Sequence, residues 1–212
     1  MNKNEKIELH KNMVNDIIEK ETEIAEEIAK TIISYYNDEQ VSDFNQLYQD
    51  ILDLMYISLK QTYKITISQG AEIYSALEKE KEKIEKKKIS NKEINSYTYS
   101  KDNLTLAKRV KQYIDDAKKE NIDRDVLIFY ETRILDNETL VVHRKLLKEK
   151  LKKNGVEIAM LIPGRGCSKD CCNDYFNEWV HIDDIEDEPP YHPNCKCEII
   201  YDEEKIEPEK EK

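Results

Sequence analysis

Residues 43–77 carry the sequence DFNQLYQDILDLMYISLKQTYKITISQGAEIYSAL, which decides the fold class. A set of its apolar residues recurs mainly at intervals of three, four and eight, the spacing of one face of an α-helix. They are Phe44, Leu47, Ile51, Leu54, Met55, Leu59, Ile65, Ile73 and Leu77. The pattern predicts a helical stretch over residues 43–88, capped by Ser42-Asp43. Gly70 inside it predicts a break or a close helix crossing.

The same helical spacing extends to both sides of this stretch. It predicts one helix over residues 4–36, another over 101–120, and one helix or two over 123–153, with a loop or short element at 90–100. Asn154-Gly155 is typical of a helix C-cap. A short apolar run at 156–162 then predicts a strand. The expected fold is therefore mainly α: an elongated helical bundle followed by a small irregular α+β module with a Cys/His cluster.

Composition limits the classes of protein that this chain can represent. Of its 212 residues, 39% are hydrophobic and 37% are charged, so the core is expected to be thin. Neither a membrane span nor a secretory signal is predicted, which favours a soluble, cytosolic chain with no membrane partner. The net charge is −11, and it is concentrated after residue 160. This charge argues against a DNA-wrapping surface made by bulk positive charge.

All five cysteines lie in one short segment near the C-terminus, which suggests a metal site. Two clusters, separated by 19 residues, bring together four soft ligands of the kind that zinc prefers. The candidate metal ligands are Cys167, Cys171, Cys172, His192, Cys195 and Cys197. They outnumber the four positions of a tetrahedral site, so the ligand set stays open. A zinc ion here is expected to be structural, because the module has little apolar core of its own.

The cysteine segment is also compatible with three chemistries that need no structural zinc. Disulfides are one, although five is an odd number and nothing suggests export. Unligated thiols are another. Catalysis is a third, in which an acidic residue assists a zinc-bound water or a histidine activates a cysteine. The residues available for that chemistry are Glu178, His181, Asp183, Glu186, His192 and Asn194. These residues are close to one another in the sequence, but their spacing matches no recognised catalytic motif.

The stretch Pro189-Pro190-Tyr191-His192-Pro193-Asn194-Cys195-Lys196-Cys197-Glu198-Ile199 resembles the C-terminal motif of a known phage family. That family is the phage Mu F-like head morphogenesis family, the minor head proteins of tailed phages, whose motif runs PP-x-HPNCRC. Further upstream, Phe129-Tyr130-Glu131-Thr132-Arg133 and Asn154-Gly155-Val156 lie where the family has an Arg-Thr-Glu helix and a Gly-Val turn into a strand. The resemblance covers about residues 124–201, with Lys196 in place of the usual Arg.

The resemblance implies a structural role in the virion rather than enzymatic activity. Such proteins act in head morphogenesis, DNA packaging or ejection. The implied partners are the portal or the major capsid protein, and packaged DNA, in several copies per particle or as a homo-oligomer. The expected location is the capsid interior or the vicinity of the portal, after assembly in the host cytoplasm. Two alternatives remain: a zinc-dependent enzyme of hydrolase or nuclease type, and a cytosolic, zinc-clipped helical adaptor.

The resemblance also suggests a division of the chain. Residues 1–122 are expected to form an N-terminal helical region. Residues 123–201 are expected to form the Mu F-like domain, in which 156–201 is the Cys/His module. Residues 202–212, DEEKIEPEKEK, are expected to be an acidic, disordered tail.

Overall fold

The computed structural model describes residues 1–37, 40–99, 104–163, 177–185 and 197–204. In these ranges the chain is mainly helical, with a small antiparallel sheet at its C-terminal end. The predicted class, a helical protein followed by a small α+β element, is confirmed. None of the described helices is both long enough and apolar enough to cross a bilayer.

The first two helices follow the predicted periodicity over most of their length. Helix α1 is Lys3–Tyr35 and helix α2 is Phe44–Ile73. The residue before α2, Asp43, accepts hydrogen bonds at Oδ1 from the backbone N–H groups of Asn45 and Gln46, both at 3.0 Å. This is the predicted N-cap, and it satisfies two of the otherwise unpaired donors at the helix start. Between the helices, β1 (Tyr36–Asn37) pairs with β2 (Gln40–Val41).

The helical stretch predicted over residues 43–88 is interrupted after Ile73. A 3₁₀ turn at Ser75–Leu77 and helix α3 (Glu78–Lys86) follow. Tyr74 adopts an extended conformation and is fully buried, and its hydroxyl accepts a hydrogen bond from the Tyr201 backbone N–H at 3.2 Å. Tertiary burial therefore overrides the local helical pattern here. The turn also returns Leu77 towards Gly70, where a Cβ atom would lie 2.9 Å from Leu77 Cδ1. Gly70 was predicted to mark a break or a close helix crossing; the helix continues through it to Ile73, and the close contact is with the 3₁₀ turn.

Three further helices complete the helical part. Helix α4 is Asn91–Asn95, helix α5 is Leu106–Glu120 and helix α6 is Arg124–Lys153. The segment 123–153 thus forms one helix. At its end, the Gly155 N–H donates to Lys152 O at 3.0 Å with Gly155 at φ 84°, a left-handed conformation that glycine adopts without strain. The predicted C-cap at Asn154-Gly155 is correct.

The C-terminal sheet has three strands in the order β4-β3-β5. The strands are β3 (Ile158–Ile162), β4 (Trp179–His181) and β5 (Glu198–Asp202), and both pairings are antiparallel. Strand β3 is the predicted strand, and it lies in the centre. Its first four residues are buried, and because successive side chains alternate between the two faces, both faces of this part of the strand are covered.

The chain forms two compact units, each assembled from separate segments. The first contains Met1–Asn15, Lys64–Lys88 and His143–Lys212, and the second contains Asp16–Tyr63 and Ile89–Val142. The predicted domains, 1–122 and 123–201, are continuous in sequence, unlike these two units. That division stays a prediction. Of the predicted acidic tail, Asp202 belongs to β5, and residues 205–212 lie outside the described ranges.

Candidate metal centre

The predicted Cys/His cluster falls almost wholly outside the described residues. This applies to Cys167, Cys171, Cys172, His192 and Cys195, and also to Glu186 and Asn194 of the catalytic alternatives. Cys197 is described, and it is fully buried directly before β5. The predicted zinc ligand set therefore stays a prediction.

The described candidates for catalysis form ordinary surface contacts. His181 lies in β4, and its Nδ1 accepts a hydrogen bond from the Asp183 N–H at 3.3 Å. Asp183 also accepts a hydrogen bond from the Lys152 ammonium, which lowers the pKa of its carboxyl group. Both the histidine and the aspartate are exposed to more than a third. This arrangement is typical of a surface ion pair.

The structure brings together a different group, which the sequence did not predict. His10 from α1, His143 from α6 and Glu198 from β5 lie side by side in the first compact unit. The distance from Glu198 Oε2 to His10 Nε2 is 3.5 Å, and the distance to His143 Nε2 is 3.9 Å. The two imidazole rings are 5.5 Å apart between centroids. The histidine side chains are at most 2% exposed and that of Glu198 is 12% exposed.

Arg144 supplies the positive charge that makes this burial tolerable. Its Nη2 donates to Glu198 Oε1 at 2.7 Å, and its Nε donates to Oε2 at 3.4 Å. Burial alone would raise the pKa of Glu198. Arg144, His10 and His143 together outweigh that effect and hold the pKa below its usual range. Glu198 is therefore a carboxylate at neutral pH, and the ion pair with Arg144 is buried.

His143 is oriented by a hydrogen bond on the side away from Glu198. Its Nδ1 lies 2.9 Å from the hydroxyl of Thr66, a fully buried residue of α2. Burial lowers the pKa of His143 to about 3, so the ring is neutral at neutral pH. Its Nε2 has no hydrogen-bond partner within the described ranges. A neutral imidazole whose free nitrogen faces a carboxylate has the form of a metal ligand.

The group His10, His143 and Glu198 can hold a metal ion. One donor atom from each residue lies within 4.8 Å of the other two donor atoms. Two imidazole nitrogens and one carboxylate oxygen are ligands that zinc and other borderline divalent ions accept. A metal-binding group was predicted for this protein, but on cysteines rather than on these residues.

A sequence signal for this group existed, although it was weak. His10 lies three residues after Ile7 and four before Val14, on the apolar stripe of the predicted first helix. A histidine on an apolar stripe is expected to be buried with a partner. The partner is 188 residues away in the sequence, at Glu198, so no local pattern could identify it.

Glu131, which lies in the stretch placed opposite the family's Arg-Thr-Glu helix, is a second unusual residue. It lies in α6 within the second compact unit and is fully buried. Neither of its carboxylate oxygens has a hydrogen-bond partner in the described part of the chain. Burial raises its pKa well above the usual range. Arg133, two residues further on, lies with its guanidinium carbon 5.5 Å from the centroid of the Phe129 ring.

Comparison with protein-family models, with curated proteins and with solved structures gives no significant match.

Proposed function

We propose that this chain is a minor head protein of a tailed phage, similar to the phage Mu F-like family. In this proposal it acts in head morphogenesis, DNA packaging or ejection, and it works by assembly with the portal or the major capsid protein rather than by catalysis. The observation that carries the proposal is the segment His192-Pro193-Asn194-Cys195-Lys196-Cys197, the specific part of the family motif.

The order of elements around this segment supports the proposal. The motif is expected after a long helix, a Gly-Val turn and a strand. Here α6 ends in a cap at Asn154-Gly155, strand β3 begins at Ile158, and the motif leads directly into β5. Strand β5 pairs with β3 along its whole length, from Ile158 opposite Asp202 to Ile162 opposite Glu198. The end of the motif is thereby fixed to a buried strand.

We further propose that the cysteines of this module hold one structural zinc ion. The placement of Cys197 supports this, since it is buried where the motif meets β5. A tetrahedral site would join Cys195 and Cys197 to Cys167 and either Cys171 or Cys172, within the acidic segment 161–212. The net charge of −9 on that segment suits a basic surface on a portal or capsid protein better than it suits DNA.

Association with particles tests this function. The full-length chain is co-expressed with the portal protein and the major capsid protein of the same genome. Particles are then purified by sedimentation, and their protein content is measured by mass spectrometry. We expect the chain to co-purify with portal-containing particles in low copy number. Absence of the chain both from such particles and from isolated portal rings would refute the proposal.

Cys195→Ser tests the zinc module in the same assay. This variant is expected to lose the zinc ion, to become sensitive to protease between residues 156 and 201, and to associate less with particles. His181→Gln, a change at a partly exposed position in the same part of the chain, serves as the matched control and is expected to behave as the unchanged protein. If native mass spectrometry finds no zinc and intact masses show paired cysteines, the module is held by disulfides instead.

A further inference from the structure

We propose that His10, His143 and Glu198 form a second metal site, which binds a borderline divalent ion such as Zn²⁺ and is separate from the cysteine cluster. The proposal goes beyond the assembly function and does not depend on it. It rests on three donor atoms that point at one another inside the first compact unit.

The distances between the donor atoms are close to those of a metal site. Ligand atoms bound at 2.0–2.1 Å in a tetrahedron lie about 3.4 Å apart. The two contacts of Glu198 Oε2, at 3.5 Å to His10 Nε2 and 3.9 Å to His143 Nε2, are only slightly longer. Small side-chain rotations can bring all three atoms onto one ion. Three protein ligands would leave the fourth position open to water.

The two oxygens of Glu198 have different roles in this arrangement. Oε1 accepts the short hydrogen bond from Arg144, at 2.7 Å. Oε2 faces both histidines, and its contact with Arg144 Nε is long, at 3.4 Å. The carboxylate is therefore held from one side and presents its second oxygen to the ion. Hydrogen bonds to the far oxygen of a ligating carboxylate are a regular feature of metal sites.

His143 is pre-oriented in the way that a metal-ligating histidine requires. The contact with Thr66 Oγ1 admits the tautomer that a metal ion selects, in which Nδ1–H donates to the hydroxyl and Nε2 presents its lone pair towards Glu198. Buried polar atoms normally have a partner, and this nitrogen has none among the described residues. An ion at this place supplies the missing interaction.

A hydrogen-bonded network without metal is the alternative arrangement of these residues. In that case the Thr66 hydroxyl donates to His143 Nδ1, and the protonated Nε2 of His143 faces Glu198 Oε2 at 3.9 Å. The cation of Arg144 lies beside the site and weakens the attraction for a second cation. The proposal therefore predicts a measurable but moderate affinity for Zn²⁺. A count of the bound ions distinguishes the metal site from the metal-free network.

The test counts metal ions in the full-length protein by native mass spectrometry after incubation with Zn²⁺ and removal of the excess. Any ions held by thiolates are common to all variants. We expect His10→Gln and His143→Gln each to hold one ion fewer than the unchanged chain. His181→Gln changes a partly exposed histidine of the same unit, and this variant is expected to hold the full number. If all of these proteins hold the same number of ions, the proposal is overturned.

A second variant keeps the test informative where the first ones fold poorly. Thr66→Val removes only the hydrogen bond to His143 Nδ1 and keeps the shape of the side chain. Loss of such an outer partner typically weakens metal binding by about 10- to 100-fold. We expect this shift for one bound ion per chain, with the affinity of any thiolate-bound ion unchanged, measured by zinc titration in competition with a chelator. Unchanged zinc affinity in Thr66→Val would contradict the site, whether or not the histidine variants fold. Circular dichroism reports the folding of each variant.

Discussion

Replacing Glu131 by methionine is expected to stabilise this protein, although it removes a charged residue. The side chain lies in the interior of the second unit, and neither carboxylate oxygen has a hydrogen-bond partner in the described ranges. Glu138 of the same helix shows the contrast, since its oxygens lie 2.8 Å from Arg109 Nη1 and from the Tyr99 N–H. Glu131 therefore bears the cost of dehydration without a compensating contact.

The size of the effect follows from the cost of an unpaired buried group. Leaving a polar group buried and unsatisfied costs about 1–3 kcal/mol. Methionine has a similar helix propensity to glutamate, and its flexible side chain fills the same space with apolar atoms. We therefore expect Glu131→Met to raise the free energy of unfolding by about 1–3 kcal/mol near pH 5.

The gain is expected to grow as the pH rises. In the unfolded chain Glu131 titrates near its ordinary value of 4.5, whereas burial raises the pKa in the folded chain well above that value. Between the two pKa values the folded state binds more protons than the unfolded state. The pH-dependent part of the stability due to Glu131 is therefore fully present below pH 4.5, where the group is protonated in both states. It is lost as the pH rises through the folded pKa. The slope in this window is about 1.4 kcal/mol per pH unit.

Urea denaturation between about pH 4.5 and pH 8, in the presence of a chelator, measures this difference. Glu149→Met, an exposed change on the same helix, is the control and is expected to change stability by less than about 0.5 kcal/mol at every pH. A Glu131→Met protein that is less stable than the unchanged chain refutes the argument. A stability difference that does not vary with pH refutes the assigned protonation. Either result would mean that Glu131 has a partner in solution.

The same variant also tests whether the buried carboxyl group of Glu131 serves the proposed assembly function. A buried, unpaired carboxyl group is expensive, and residues that destabilise the fold are often retained for function. If Glu131 serves assembly, Glu131→Met is expected to be more stable yet to co-purify less with portal-containing particles. A more stable variant that assembles normally would leave Glu131 without such a role.

Two further changes are predicted to destabilise the first unit, and urea denaturation with a chelator measures both. Glu203→Ala removes the carboxylate that accepts hydrogen bonds at the start of the 3₁₀ turn, and it is expected to cost about 1 kcal/mol of stability. Glu204→Ala, the control at an exposed position, is expected to cost less than about 0.5 kcal/mol. Equal effects of these two would contradict the capping role. Arg144→Met leaves Glu198 buried without its cation and is expected to cost about 3–5 kcal/mol of stability. Adding Glu198→Met in a double variant is expected to restore most of that stability. A double variant no more stable than Arg144→Met would show that the ion pair does not account for the loss.

Local patterns were sufficient for α1, for the extent of α6 and for β3. The apolar stripes predicted α1 and α6 to within a few residues, because each stripe faces a core and repeats with the helical period. Asp43 and Gly155 marked the boundaries of α2 and α6 correctly, since capping depends on the backbone of the same few residues. These features are decided within one or two turns of chain.

Features that depend on distant partners were not predictable in this way. The break at Tyr74 follows from a contact with Tyr201, and the group of His10, His143 and Glu198 joins two helix faces to a strand. A periodic pattern indicates that a position is buried, but it does not indicate which buried polar groups meet. The cysteines form a visible cluster because they are close in sequence, whereas these donors are close only in space.

Strand β5 shows how the cysteine module and the histidine group can coexist as separate sites. Cys197 and Glu198 are neighbours in the sequence, and neighbouring side chains of an extended chain point to opposite sides. Glu198 is held from its own side by Arg144 and by the pairing of its backbone with Ile162, neither of which involves a thiolate. The carboxylate is therefore positioned whether or not the cysteines bind an ion.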